Sequence, residues 1–204
     1  MPTATEIAAM ASGVAGESGF SMIEVLVSIV IVAIGLLGMA GLSARTTTAE
    51  YEAYQRAQVL ILLSDMVDKI NANRKAAGCY AITDPSSGSP ALGTGSSLTP
   101  ACNAYGTALE QARAVADLTD WNSKLLGAGE TQSGNAVGVM TGARGCVSFD
   151  AVTNTYQVSV AWQGMAATVA PTSVDATWLC GAGLYGPDSQ RRLVSITLSI
   201  ANLR

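Results

Sequence analysis

The sequence predicts an α+β fold in which a long N-terminal helix packs on a small antiparallel sheet. An apolar run over residues 20–42 continues into an amphipathic pattern that reaches residue 78, and no proline lies between Pro2 and Pro85. A second, shorter helical pattern covers about residues 104–126. Segments in which apolar and polar residues alternate follow toward the C-terminus, as expected of strands with one buried face.

The apolar run has the length of a membrane-spanning helix. Residues 20–42 number 23, and at about 1.5 Å per residue they span roughly 30 Å of hydrocarbon. One carboxylate, Glu24, lies inside this run, and an ionisable side chain at membrane depth costs several kcal/mol unless it is paired. A cleaved secretory signal would begin with a basic residue, which is missing here. An ordinary membrane anchor has no need of Glu24.

Residues 19–27, Gly-Phe-Ser-Met-Ile-Glu-Val-Leu-Val, resemble the N-terminal segment of type IV pilins and type II secretion pseudopilins. The resemblance implies that a membrane peptidase cuts after Gly19 and then methylates the new amine of Phe20. It also implies an assembly salt bridge between Glu24 and the Phe20 amine of a neighbouring subunit. A charge pair in a low dielectric would favour that one axial register. The alternative is a Glu24 carboxylate that reaches the membrane interface unpaired.

The expected leader, residues 1–19, departs from the pattern of this family. Leaders of the family are usually short and basic, whereas this one is long and contains no Lys or Arg. Translation from Met10 would shorten the leader to ten residues. Arg45 and Arg56 follow the apolar run, so the positive-inside rule points weakly against a periplasmic C-terminal domain.

Composition argues against several classes of function. The formal net charge is −4, and we expect no nucleic-acid partner because no basic patch is visible. Histidine is absent, which removes the usual general base and the commonest metal ligand. Asp117 and Asp120 lie three residues apart on the second helix, where paired carboxylates are usually solvated. Asp84, Asp150, Asp175 and Asp188 lack the spacing of a calcium loop. We therefore expect no enzyme activity, no cofactor and no metal.

The four cysteines predict two disulfide bonds. Their wide spacing downstream of a membrane segment favours an oxidising compartment, whereas free thiols would suit a cytosolic chain. Four cysteines allow three pairings, and the shorter loops favour Cys79–Cys102 together with Cys146–Cys180.

The predicted organisation has four parts: a leader (1–19), the membrane-spanning or fibre-core half of the first helix (20–42), its amphipathic half (43–78) and a globular periplasmic domain (79–204). Gly78 is the expected helix stop. The predicted strands cover residues 136–140, 146–150, 156–162 and 193–200. Gly35, Gly38 and Gly41 either loosen the helix on assembly or pack closely against a neighbouring membrane helix.

Scattered downstream segments resemble the PilV-type minor pilins: Asp117-Leu118-x-x-Trp121, Val160 to Gly164, and the closing strand from Arg191 to Thr197. This resemblance implies a minor pilin in the inner membrane, with its C-terminal domain in the periplasm, that later enters the type IV pilus. It implies five partners: the prepilin peptidase and methyltransferase, other minor pilins, the major pilin, the inner-membrane assembly platform and the lipid bilayer. Two alternatives stay open: a minor pseudopilin of a type II secretion system, and a membrane-anchored periplasmic binding module or adhesin.

Overall fold

The computed structural model describes residues 19–129, 131–133, 135–136 and 140–200. They form two compact units, divided between Thr46 and Thr47. Helix α1, Met22–Ala72, runs through both units. In the second unit it buries one face, made of Gln55, Val59, Leu62, Leu63, Met66 and Ile70. Spacings of three and four residues place these side chains on one stripe of the helix.

Helix α1 ends at Ala72, earlier than the sequence predicts, and a 3₁₀ turn over Arg74–Tyr80 follows. Asn73 breaks the helix, since its backbone is not helical (φ −126°, ψ 46°). Its side-chain amide donates to the carbonyl of Glu110 at 2.8 Å, a hydrogen bond to the second helix that the sequence does not reveal.

Gly78 is therefore not the helix stop but part of the turn. A Cβ atom on Gly78 would lie 2.6 Å from the ring of Tyr105, so glycine permits this close approach. The neighbouring Cys79 forms a disulfide bond with Cys102. The turn and residues 102–105 are thereby held together.

Helix α2 covers Ala108–Ser123 and begins four residues later than predicted. A capping box sets this start: the Thr107 hydroxyl accepts from the backbone N–H of Glu110, and the Glu110 carboxylate accepts from the backbone N–H of Thr107. A π-helical turn over Lys124–Ala128 extends the helix. Along one side of this helix and its extension, Leu118, Trp121 and Leu125 are buried and Val115 is half-buried.

The main sheet has four antiparallel strands in the order β1-β4-β5-β6. The strands are β1 (Leu92–Gly93), β4 (Arg144–Asp150), β5 (Thr155–Gln163) and β6 (Arg191–Ser199). This confirms the strands predicted at 146–150, 156–162 and 193–200. Of the strand predicted at 136–140, residues 137–139 lie outside the described residues and Ala136 belongs to β3. Strand β3 (Asn135–Ala136) pairs with β2 (Thr131–Gln132) as a small antiparallel ribbon. A single helical turn, α3 (Pro171–Val174), precedes β6.

The core of the second unit lies where the α1 stripe, α2 and the sheet meet. Trp121 is fully buried, and its indole N–H donates to the carbonyl of Leu62 at 3.0 Å. Gly145 in β4 makes room for it, since a Cβ atom there would lie 2.4 Å from the Trp121 ring. Trp162 of β5 donates to the side chain of Gln55 at 3.1 Å. The fold is the predicted α+β arrangement.

Candidate processing and assembly site

The predicted cleavage point lies immediately before α1. Gly19 and Phe20 are exposed, and Phe20 retains 82% of its accessible surface. The carbonyl of Ser21 accepts from the backbone N–H groups of Glu24 and Val25, so the helix begins directly after it. The bond between Gly19 and Phe20 therefore lies outside the helix, between two exposed residues.

Glu24 lies in the first turn of α1 and is exposed. A carboxylate at this end of a helix interacts favourably with the helix dipole. Among the ion pairs of the described residues, none involves Glu24. As long as the peptide bond after Gly19 is intact, the nitrogen of Phe20 is an uncharged amide. Cleavage after Gly19 would convert this nitrogen into a cationic amine four residues before Glu24 in the sequence.

The helix residues that follow Glu24 are apolar on every face. The large apolar side chains between Met22 and Leu42 are all exposed, with Met22 at 93%. Within the described residues, this is the one helix apolar and long enough to cross a membrane. A helix that is apolar all round is stable only where another apolar medium surrounds it. The segment therefore fits membrane anchoring or the core of an assembly.

The carboxylates that the sequence places together on α2 have structural partners. Asp120 accepts from Lys69 of α1 and from Lys124, and both lysines also pair with Asp65 at 3.1 and 3.0 Å. The hydrogen bond from Lys124, followed by that from Lys69, lowers the pKa of Asp120. This four-membered network lies across the α1–α2 contact within the second unit.

Asp117 accepts a hydrogen bond from the hydroxyl of Tyr80. Burial and this bond raise the pKa of Tyr80 far above its usual range, so the phenol remains protonated. Asn73 also donates to the Tyr80 hydroxyl, at 3.2 Å. Asp117 and Asp120 therefore engage different partners, and both contribute to helix packing.

The two cysteine pairs are those that the shorter loops favour. Cys79 and Cys102 have a Cα–Cα distance of 5.3 Å, and Cys146 and Cys180 one of 5.9 Å. The second pair joins strand β4 to the loop that precedes β6. Each pair anchors a loop to the folded unit, so oxidation stabilises the domain.

The four scattered aspartates do not gather at one site. Asp84, Asp150 and Asp175 each accept hydrogen bonds from residues two or three positions later, as turn-forming aspartates do. Asp188 instead pairs with Arg191 at 2.6 Å, and the hydrogen bond from Arg191, followed by that from Thr172, lowers the pKa of Asp188. Among the described residues, no group of three or more His, Cys, Asp or Glu side chains could hold a metal ion.

Sequence reasoning missed two arginines. Arg191 is 1% exposed and donates to the carbonyls of Trp178 and Cys180 as well as to Asp188. Arg144 begins β4 and lies over the ring of Tyr185. Only the glycines that flank Arg144 at 142 and 145 hinted at a crowded position, and nothing in the sequence marked Arg191 as buried.

Comparison with known proteins adds one finding. Residues 15–40 match the family model of the prokaryotic N-terminal methylation motif. No curated protein and no solved structure matches the chain. The motif implies processing by a prepilin peptidase and partners of the pilin type, and the apolar helix that carries it fits membrane anchoring. Together these findings indicate a type IV pilin-like or pseudopilin-like protein.

Proposed function

We propose that this protein is a minor pilin of the type IV pilus, most similar to the PilV type, and that it acts by assembly rather than by catalysis. One observation carries the proposal. A single carboxylate, Glu24, lies in the first turn of α1, in a segment up to Leu42 whose large apolar side chains are all exposed and which matches the methylation motif up to residue 40. This segment requires an apolar environment, and its one anion requires a cation.

Cleavage after Gly19 supplies that cation. Hydrolysis of the peptide bond releases the leader and leaves an ammonium group on Phe20, which still carries positive charge after methylation. In a bundle of staggered subunits, Glu24 of one subunit pairs with the Phe20 amine of the next. Misaligned registers leave both charges unpaired in a low dielectric, so the pair selects one register. The apolar side chains then supply the non-specific contact area.

We further propose that the second unit lies in the periplasm before assembly. The two cysteine pairs at disulfide distance support this location, because disulfides persist in oxidising compartments. In the fibre, this domain would contact the other minor pilins and the major pilin. Labelling of the native host with a membrane-impermeant reagent tests the orientation, since the lysines of the second unit should react in spheroplasts without lysis.

The assembly proposal is tested with Glu24→Gln and a matched control, Glu50→Gln. Glu50 lies on the same helix and is exposed, but it follows the apolar segment. We expect mass spectrometry of the wild-type protein to show a first peptide that begins with methylated Phe20. The Glu24→Gln protein should accumulate in the membrane while surface pili decrease at least about tenfold, since a buried charge is left unpaired. The Glu50→Gln strain should remain piliated.

Three outcomes would count against the proposal. A first peptide that retains residues before Phe20 in a strain with an active peptidase would refute processing. Normal piliation of the Glu24→Gln strain would favour a simple membrane anchor that carries a binding module or adhesin. Normal piliation of a deletion strain with impaired protein secretion would identify a pseudopilin of a type II system instead.

A further inference from the structure

A polar groove lies on the surface of the second unit, between residues 87–99 and residues 181–184. Its volume is about 480 Å³, within the range of roughly 300–1,000 Å³ that is typical of small-molecule sites. Arg144 is the one charged side chain in the lining. The lining is also rich in hydroxyl groups, which belong to Ser87, Ser89, Thr94, Ser96, Ser97 and Thr99. No aspartate or glutamate is among the residues that line it. The groove therefore offers hydrogen bonds and a single positive charge.

The walls of the groove are held in place by direct contacts. Gly88 has a φ of +65°, and a Cβ atom there would lie 2.3 Å from the backbone carbonyl of Leu179. The two loops thus touch through their backbones at a point that only glycine allows. Cys180, the next residue, is bonded to Cys146 of β4. The groove is consequently preformed and does not depend on a ligand for its shape.

The guanidinium group of Arg144 is also fixed in position. It lies 5.0 Å from the centre of the Tyr185 ring, and one of its terminal nitrogens donates to the carbonyl of Gly142 at 3.1 Å. The hydroxyl of Tyr185 donates to the same carbonyl at 2.7 Å. Cation–π contact and this hydrogen bond orient the group but leave several of its five N–H donors free.

Arg144 differs from the other arginines of the sheet. Arg191 and Arg192 of β6 both pair with carboxylates of the second unit. In the described part of the chain, no carboxylate forms an ion pair with Arg144. A half-buried, oriented and unpaired guanidinium at the wall of a preformed groove is suited to bind an anion from outside the chain.

We propose that this groove binds a carboxylated sugar, such as a uronic acid residue of a surface polysaccharide. Arg144 binds the carboxylate through its free N–H donors, and the serine and threonine hydroxyls, which both donate and accept, bind the sugar hydroxyls. A neutral sugar would leave the guanidinium unpaired, and a simple anion would leave the hydroxyls unused. This binding role extends beyond assembly and does not depend on it.

The test uses the full-length protein in a detergent without sugar groups, with galacturonate, galactose and acetate as probes. Saturation-transfer NMR with titration gives the affinity of each. We expect galacturonate to bind about tenfold or more tightly than either galactose or acetate, since each comparison compound lacks one set of contacts. Arg144→Gln should weaken galacturonate binding about tenfold, whereas Arg113→Gln, which removes an exposed arginine of α2, should not.

A second variant keeps the test decisive if Arg144→Gln unfolds. Ser97 is exposed and lines the groove, so Ser97→Phe adds a large side chain to the groove and keeps Arg144 in the chain. Ser97→Phe should abolish galacturonate binding. The proposal is overturned if galacturonate does not bind saturably, if acetate binds equally well, if Arg113→Gln has the same effect as Arg144→Gln, or if Ser97→Phe binds normally.

Discussion

Helix α1 contains two surfaces on one continuous backbone. Between Met22 and Leu42 its large apolar side chains are all exposed, whereas in the second unit one stripe of the helix, from Gln55 to Ile70, is buried in the core. Two carboxylates show the same contrast. Glu52 pairs with Arg192 at 3.0 Å and accepts from the backbone of Met165, while Glu24 has no ion-pair partner in the described part of the chain.

The difference shows where each half of the helix finds its partners. The buried stripe and Glu52 of the second half contact residues of the same chain, so these contacts contribute to the stability of the folded domain. The apolar side chains of the first half lie exposed, which fits membrane anchoring and, under the proposed function, contact with other subunits. Unfolding of the isolated protein should therefore respond to substitutions in the second half only.

The largest expected effect comes from a matched pair of truncations. Leu63→Ala removes a fully buried side chain of the second half of α1 and should lower the free energy of unfolding by about 3 to 5 kcal/mol. Leu36→Ala removes an exposed side chain of the first half and should leave it unchanged within about 0.5 kcal/mol. Fluorescence of Trp162 and Trp178 during denaturant unfolding in detergent reports both. An equal loss of unfolding free energy in the two variants would contradict the conclusion that only the second half of α1 contributes to the stability of the domain.

Removal of the Cys146–Cys180 disulfide should lower the free energy of unfolding by nearly as much. Replacing Cys146 and Cys180 by serine opens a loop of 34 residues, which in the chain-entropy description lowers stability by about 3 to 4 kcal/mol. The first half of α1 contains no cysteine. Circular dichroism should therefore show that helix persists in detergent after the domain has unfolded. Loss of all helix in one transition would mean that the two halves fold as a unit.

A smaller effect is expected at the buried arginine. Asp188→Asn removes the charge that faces Arg191 and should lower stability by about 2 kcal/mol at neutral pH. Because the pKa of Asp188 is lowered in the folded protein, its contribution is complete above its ordinary pKa and is lost as the pH falls through the lowered value. The difference between wild type and Asp188→Asn should thus shrink in acid.

Asp175→Asn is the control for this prediction. Asp175 lies in the same region of the chain, but within the described residues its carboxylate accepts from Thr177 and forms no ion pair. We expect a distinctly smaller loss of stability than for Asp188→Asn. Similar losses in both variants would show that loop geometry, and not the buried charge of Arg191, accounts for the effect.

The sequence predicted the features that depend on local pattern. Proline absence and apolar spacing identified α1, alternation identified β4, β5 and β6, and loop length favoured the observed cysteine pairs. Features that depend on contacts between distant residues were not predictable. The end of α1 moved to Ala72 because Asn73 bonds to α2, and Gly78 proved to accommodate Tyr105.

The candidate functional residues show the same difference between local pattern and distant contacts. Gly19, Phe20 and Glu24 form a contiguous motif, so a single stretch of sequence was enough to identify them. The Arg144 groove is assembled from three separated segments, and its unpaired charge is visible only once its neighbours are known. A site formed by contiguous residues can therefore be recognised in the sequence, whereas a site assembled from separated segments becomes visible only in the folded structure.

The smallest expected effect concerns the helix starts. Ser21 and Glu24 repeat the spacing of Thr107 and Glu110, whose capping box begins α2. Thr107→Ala should lower the free energy of unfolding by about 1 kcal/mol, because the backbone N–H of Glu110 at the start of α2 loses its acceptor. Ser21→Ala should not change it, since α1 begins outside the domain that unfolds. If Ser21→Ala reduced piliation as strongly as Glu24→Gln does, Glu24 would act as a helix cap rather than as an intersubunit charge.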